Sequence, residues 1–133
     1  MQYDDNSIMQ KDPLIERILI SSHEIENRVA ELGAEISNDY GDSVPILVNI
    51  LKGAYVFTSD ISRAIRVHHE IDFMAISSYH GGTESTGVVK IEKDLKSNIT
   101  DRDVIIIEDI VDTGRTLNHL LELLHTRNPR SIK

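Results

Sequence analysis

Two short apolar runs, residues 44–50 (VPILVNI) and 104–107 (VIII), constrain this chain more than any other feature. Successive residues of a strand point to opposite sides, so a strand that is apolar at nearly every position has no face to give to water. Such strands belong in the middle of a parallel sheet that is covered on both faces, and cover of that kind comes from helices. The segments between the runs supply them. Ser21 and Glu24 have the spacing of a capping box, and Ile25, Val29, Leu32 and Ile36 then recur on one helical stripe that Gly41 ends. Val56, Ile61 and Ile65 predict a second helix reaching about Val67, and Leu117, Leu120, Leu121 and Leu124 predict a third. Residues 15–20 and 70–79 read as further strands. Residues 80–87 (HGGTESTG) read as a flexible hairpin-like loop returning through residues 88–91. The expectation is one α/β domain over residues 1–133, with ligands beyond the carboxyl ends of its strands. The final residues, NPRSIK, read as the approach to a strand that is not reached.

Charge narrows the partners. Twenty-two acidic residues against fourteen basic ones leave a net charge of −8, which opposes the attraction that nucleic-acid binders rely on. No nucleic-acid partner is expected. The absence of cysteine removes disulfides, thiolate nucleophiles and thiolate zinc sites. The first residues, MQYDDNSIMQKD, are acidic where a secretory signal needs basic ones, and no run has membrane-spanning length. The expected setting is the cytoplasm, without a membrane. Adjacent His68 and His69 would face opposite sides of a strand and are assigned no metal. The same negative field would repel a small phosphorylated ligand. A site for one would need main-chain donors, a lysine and a divalent cation.

Residues 104–116, VIIIEDIVDTGRT, have that composition. The strand delivers Glu108 and Asp109 to its carboxyl end, where acceptor-only side chains suit vicinal sugar hydroxyls and can share a cation. Gly114, free of a side chain, lets successive N–H groups turn towards one anion at a helix start, with the hydroxyls of Thr113 and Thr116 beside them. A solvated acidic turn with a helix cap would explain Asp112 and Thr116 alone. It would not explain the paired acids, the glycine and the buried strand together.

The segment resembles the phosphoribosyl-diphosphate signature of the type I phosphoribosyltransferases, and its wording is similar to their hypoxanthine-guanine branch. Leu51-Lys52-Gly53, directly after the first apolar run, resembles that family's pyrophosphate-binding loop, often built on a cis Leu–Lys peptide. Ser78-Tyr79 and the loop that follows resemble its flexible catalytic loop, which closes over the reacting centre. The resemblance implies that Glu108 and Asp109 hold the ribose hydroxyls and Mg²⁺. It implies that Asp112, Thr113, Gly114, Arg115 and Thr116 bind the 5′-phosphate, with Arg115 an accessory. Leu51, Lys52 and Gly53 would receive pyrophosphate, and Asp112 would also share the N7 proton of a purine while N9 attacks the anomeric carbon. The implied fold is the Rossmann-like type I sheet flanked by helices. The implied activity is purine salvage, giving IMP or GMP from hypoxanthine or guanine and phosphoribosyl diphosphate, in a homo-oligomer, a dimer or tetramer.

The family's pattern continues beyond residue 133 with a further strand and a hood that carry base recognition, and these are expected to be missing here. Base preference is therefore open. A xanthine-guanine enzyme, or a catalytically incomplete chain that binds phosphoribosyl diphosphate or only oligomerises, stands beside the leading expectation. A regulatory nucleic-acid-binding relative is disfavoured by the net charge.

Overall fold

The computed structural model describes residues 5, 7, 12, 14–78 and 89–133. Its strands are β1 (Ile46–Leu51), β2 (Glu70–Ser78), β3 (Val89–Lys93), β4 (Asp103–Ile107) and β5 (Ser131–Ile132). Its helices are α1 (Ser22–Asp39), α2 (Tyr55–Ala64) and α3 (Arg115–His125). The sheet order is β3-β2-β1-β4-β5, so the two apolar runs lie side by side at its middle. β1 pairs in parallel with both β2 and β4, and β5 is parallel to β4, whereas β3 returns antiparallel along β2.

Strand alternation divides the core in two. Ile46, Val48 and Ile50 of β1 and Val104 of β4 pack with Leu120 and Leu124 of α3 on one face. Leu47 of β1 and Ile105 and Ile107 of β4 pack on the other with Ile61 of α2 and with Val29, Leu32 and Ile36 of α1. Burial of these side chains on both faces supplies the main stabilisation, about 1.5–3 kcal/mol for each large one. α1 opens on the complete capping box, with Ser21 Oγ accepting from Glu24 N–H and the Glu24 carboxylate accepting from Ser21 N–H. Gly33 lets α1 cross close to the end of α2, since a methyl group there would stand 2.5 Å from Ala64 Cβ.

Four expectations are corrected. Residues 15–20 form no strand: Leu19 is 77% and Ile20 63% exposed, so the run does not pack into the sheet. α2 stops at Ala64, short of Val67, because Ile65 turns extended while its N–H still reaches Ile61 C=O. Ile25 is 51% exposed, so the packed stripe of α1 starts at Val29. The strand thought not to be reached is present as β5. Residues 79–88, which include Tyr79 and most of the expected loop, lie outside the described residues, and Ser78 ends β2.

Candidate functional site

Because β1 and β4 are parallel neighbours, with Asn49 level with Ile107, the turns that follow them leave the same edge of the sheet side by side. They then part, since α2 packs on one face and α3 on the other. Parting connections at the carboxyl edge open a crevice between two strands, the usual ligand position in such sheets. Leu51-Lys52-Gly53 borders it from β1 and residues 108–116 from β4. Ser78 reaches the same edge from β2, three residues past the Ala75–Leu51 pairing.

Helix starts differ between this edge and the rest of the fold. α1 is fully capped, but α2 begins at Ala54 and α3 at Gly114, neither with a side-chain cap bond. Gly114 has φ +77°, the left-handed region that glycine enters freely. Among the described residues, the main-chain N–H groups of Asp112, Thr113, Gly114 and Thr116 have no hydrogen-bond partner. Arg115 N–H has only a long contact to Thr113 Oγ1, at 3.4 Å. Asp112, Thr113 and Arg115 are exposed, with Gly114 and Thr116 half-buried. Unpaired N–H groups at a helix start, open to solvent, are suited to receive an anion.

The adjacent acids diverge. Glu108 lines a cavity of about 390 Å³ that residues 110–117 also border, together with Ile76 and Leu120. Asp109 instead turns to the neighbouring loop: a methyl group on Gly53 would stand 2.6 Å from its Cγ. The two carboxyl groups nevertheless interact. Burial, and then the hydrogen bond with Asp109, push the Glu108 carboxyl up, while that bond holds Asp109 below its usual value. Asp109 N–H donates to Glu108 Oε1 at 3.0 Å, and Ile110 N–H to Asp109 Oδ1 at 2.9 Å. Neither acid has an ion pair among the described residues, nor do Lys52 and Arg115. The Leu51–Lys52 peptide is cis, as the resemblance implied.

The structure thus brings Glu108 and residues 112–116 around one cavity and sets Asp109 and Gly53 against each other beside it. Tyr79 lies outside the described residues. Ile110 and Val111, 75% and 58% exposed, were not singled out in the sequence. Their signal was two apolar side chains inside an acidic turn, and with Ile76 they give the cavity an apolar wall. The arrangement offers amides to an anion, carboxylates to hydroxyls or a cation, and an apolar surface to a flat ring.

Comparison with known proteins bears on the family and the fold. Residues 18–133 match the phosphoribosyl transferase domain. A curated hypoxanthine-guanine phosphoribosyltransferase of Streptococcus mutans is 49% identical over 119 residues, covering 90% of this chain and 66% of that protein. One from Bacillus subtilis is 48% identical over the same share of each. The chain therefore spans just under two thirds of the length of these curated relatives. A crystal structure of a hypoxanthine phosphoribosyltransferase from Staphylococcus aureus, 48% identical, superposes with a TM-score of 0.86 over 96% of this chain and 68% of that one. Both the sheet with its crevice and the sequence across it mark the chain as belonging to the phosphoribosyltransferase family.

Proposed function

We propose that this chain binds phosphoribosyl diphosphate and transfers its phosphoribosyl group to N9 of a purine, hypoxanthine or guanine, releasing pyrophosphate and forming IMP or GMP. The observation that carries this reading is the set of unpartnered N–H groups at the uncapped start of α3, on the same cavity as Glu108. Those amides and the Thr113 and Thr116 hydroxyls bind the 5′-phosphate, with Arg115 beside them. Glu108 and Asp109 receive the ribose hydroxyls. Lys52 and Gly53 take the pyrophosphate end of the donor, and Lys52, free of carboxylate partners among the described residues, keeps its charge available for it. Ile110 and Val111 give the purine an apolar surface. Asp112, exposed on the same cavity, holds the N7 proton as N9 attacks. Bond breaking leaves positive charge on the sugar, which the neighbouring carboxylates offset, so the protein's contribution is placement and electrostatics.

Mg²⁺ fits this edge: two adjacent carboxylates without an ion pair among the described residues, one of them held above its usual value by burial, gain from a divalent ion. Among the described residues there is no cluster of three or more His, Cys, Asp or Glu, and Mg²⁺ characteristically takes one or two carboxylates and completes its shell with water and substrate phosphate. Glu108 and Asp109 would hold it, and bound there it neutralises charge on the pyrophosphate leaving group. We place the protein in the cytoplasm as a homo-oligomer. Among the described residues no helix is long and apolar enough to cross a membrane.

Calorimetric titration with phosphoribosyl diphosphate and Mg²⁺, followed by nucleotide assays with hypoxanthine, guanine and xanthine, tests the reading. The expected result is donor binding and turnover of hypoxanthine or guanine. Asp112→Asn should lower kcat by roughly 10²–10⁴-fold while shifting donor affinity far less. Binding without nucleotide formation would restrict the chain to a donor-binding role, preference for xanthine would move it to the xanthine-guanine enzymes, and no donor binding at millimolar concentration would end the proposal.

A further inference from the structure

The face of β1 turned towards α1 and α2 is apolar at Leu47 but polar at Asn49, and both side chains are fully buried. Asn49 Nδ2 donates to Thr58 Oγ1, and Thr58 Oγ1 donates in turn to the carbonyl of Ala54, 2.9 Å away. The same carbonyl accepts the main-chain N–H of Thr58, also at 2.9 Å. Asn49, Thr58 and Ala54 are 0%, 3% and 0% exposed. A one-way chain of donors therefore runs from the strand, through the first turn of α2, to the residue where the Lys52–Gly53 turn ends. That turn begins at Leu51, two residues after Asn49, so the chain closes its base. The turn's other main-chain bond, Tyr55 N–H to Lys52 C=O, is long at 3.3 Å.

These residues are poor choices for stability alone. Asparagine is depleted in strands, and a threonine bonded back to the carbonyl four residues earlier slightly weakens a helix. Asn49 Oδ1 is buried with no hydrogen-bond partner among the described residues, on the side of the sheet whose core cluster holds Leu47, Ile61 and Ile107. Apolar residues of similar size would suit that cluster at least as well. What the polar pair supplies is direction, since a hydrogen bond fixes an orientation that a methyl contact leaves free. α2 also lacks a side-chain cap that could fix its start in another way.

We propose that Asn49 and Thr58 are positioning residues: through Ala54 they set the outgoing limb of the Lys52–Gly53 turn, and with it the direction in which its main chain meets pyrophosphate. The ligand in this statement rests on the phosphoribosyl-transfer reading; the geometry does not. Asp109, packed against Gly53, borders the turn as well, so its shape is bounded by the β4 loop and by this buried base.

The test compares Thr58→Val, Thr58→Ser and Asn49→Leu with the parent chain. Three quantities are read: the melting midpoint, amide exchange at residues 54–58 without ligand, and the Kd for magnesium pyrophosphate. Thr58→Val should lower the melting midpoint, because it leaves the buried Asn49 amide without a partner, whereas Asn49→Leu, which removes that amide, should keep the parent midpoint or raise it. Both should speed exchange at residues 54–58 and weaken pyrophosphate binding on the order of 10-fold. Thr58→Ser, which keeps the hydroxyl, should stay near the parent in exchange and affinity even if it melts lower. Parent-like exchange in both Thr58→Val and Asn49→Leu overturns the proposal, and so does a serine variant as impaired as the valine one. If the parent itself binds no pyrophosphate, the phosphoribosyl-transfer reading falls, and the exchange comparison alone still decides whether the pair positions the turn.

Discussion

Gly53 and Asp109 are far apart in sequence and in contact in space, and the contact assigns each a task. A side chain at position 53 would fall on the Asp109 carboxyl group, an exposed and movable partner, so the conflict is settled by turning Asp109 away rather than by disturbing the backbone. Gly53→Ala should therefore leave the melting midpoint nearly unchanged, yet raise the Kd for phosphoribosyl diphosphate with Mg²⁺ by roughly 10-fold through one misplaced charge-assisted bond. Calorimetry beside a thermal melt checks it, and a large loss of stability with unchanged affinity would show that Gly53 serves the fold instead. Gly114 makes a different demand. A Cβ there would meet nothing within 4 Å, so what the position requires of glycine is its φ of +77°. That requirement could be read from a glycine opening a helix after an acidic turn. The diverging directions of Glu108 and Asp109 could not, because they depend on how β4 is registered against β1.

At the scale of elements, β5 is only two residues long, and its attachment rests on side chains as much as on its ladder. Asp103, at the start of β4, accepts from Arg130 Nε at 3.1 Å and from Ser131 Oγ at 2.7 Å. The Arg130 guanidinium, aided by the serine hydroxyls of Ser131 and Ser43, pulls the Asp103 carboxyl from 3.8 down to about 2. A depressed carboxylate stabilises the fold fully above its unfolded value and loses that contribution as pH falls through the folded one. Asp103→Asn should thus cost about 1 kcal/mol at pH 6, less than the full shift implies because the Arg130 side chain is 57% exposed and screened. The difference from the parent should shrink between about pH 4 and pH 2 in urea melts. A difference that persists unchanged to pH 2 would assign the effect to packing. β5 itself escaped the sequence reading because two residues carry no periodicity, whereas β1, β4 and α3 were legible from apolar runs and a leucine stripe. Residues 15–20 misled for the converse reason: IERILI is apolar enough for a strand, yet Leu19 and Ile20 stay exposed, and apolar character alone does not show whether a run is packed into the sheet.

Across the whole molecule, a net charge of −8 would oppose the polyanionic donor proposed above, while the candidate site offers amides, Lys52 and Arg115. The long-range field and the local site thus act in opposite directions, and ionic strength separates them. Between about 0.01 M and about 0.1 M salt the reach of an exposed charge falls from roughly 30 Å to roughly 10 Å, which removes the distant repulsion before it weakens contacts inside the crevice. Without divalent cation, association of phosphoribosyl diphosphate should therefore quicken as salt rises over this range, on the order of 2-fold, the reverse of the behaviour of a basic polyanion binder. Saturating Mg²⁺ should flatten the dependence, because Mg²⁺ on the donor's phosphates lowers its charge before it reaches the crevice. Stopped-flow measurement of the association rate at several salt concentrations, with EDTA and then with Mg²⁺, reads both effects. A rate that falls steeply with salt in EDTA would mean that Lys52 and Arg115 dominate the field over the crevice and that the acidic surface elsewhere has no part in selecting the ligand.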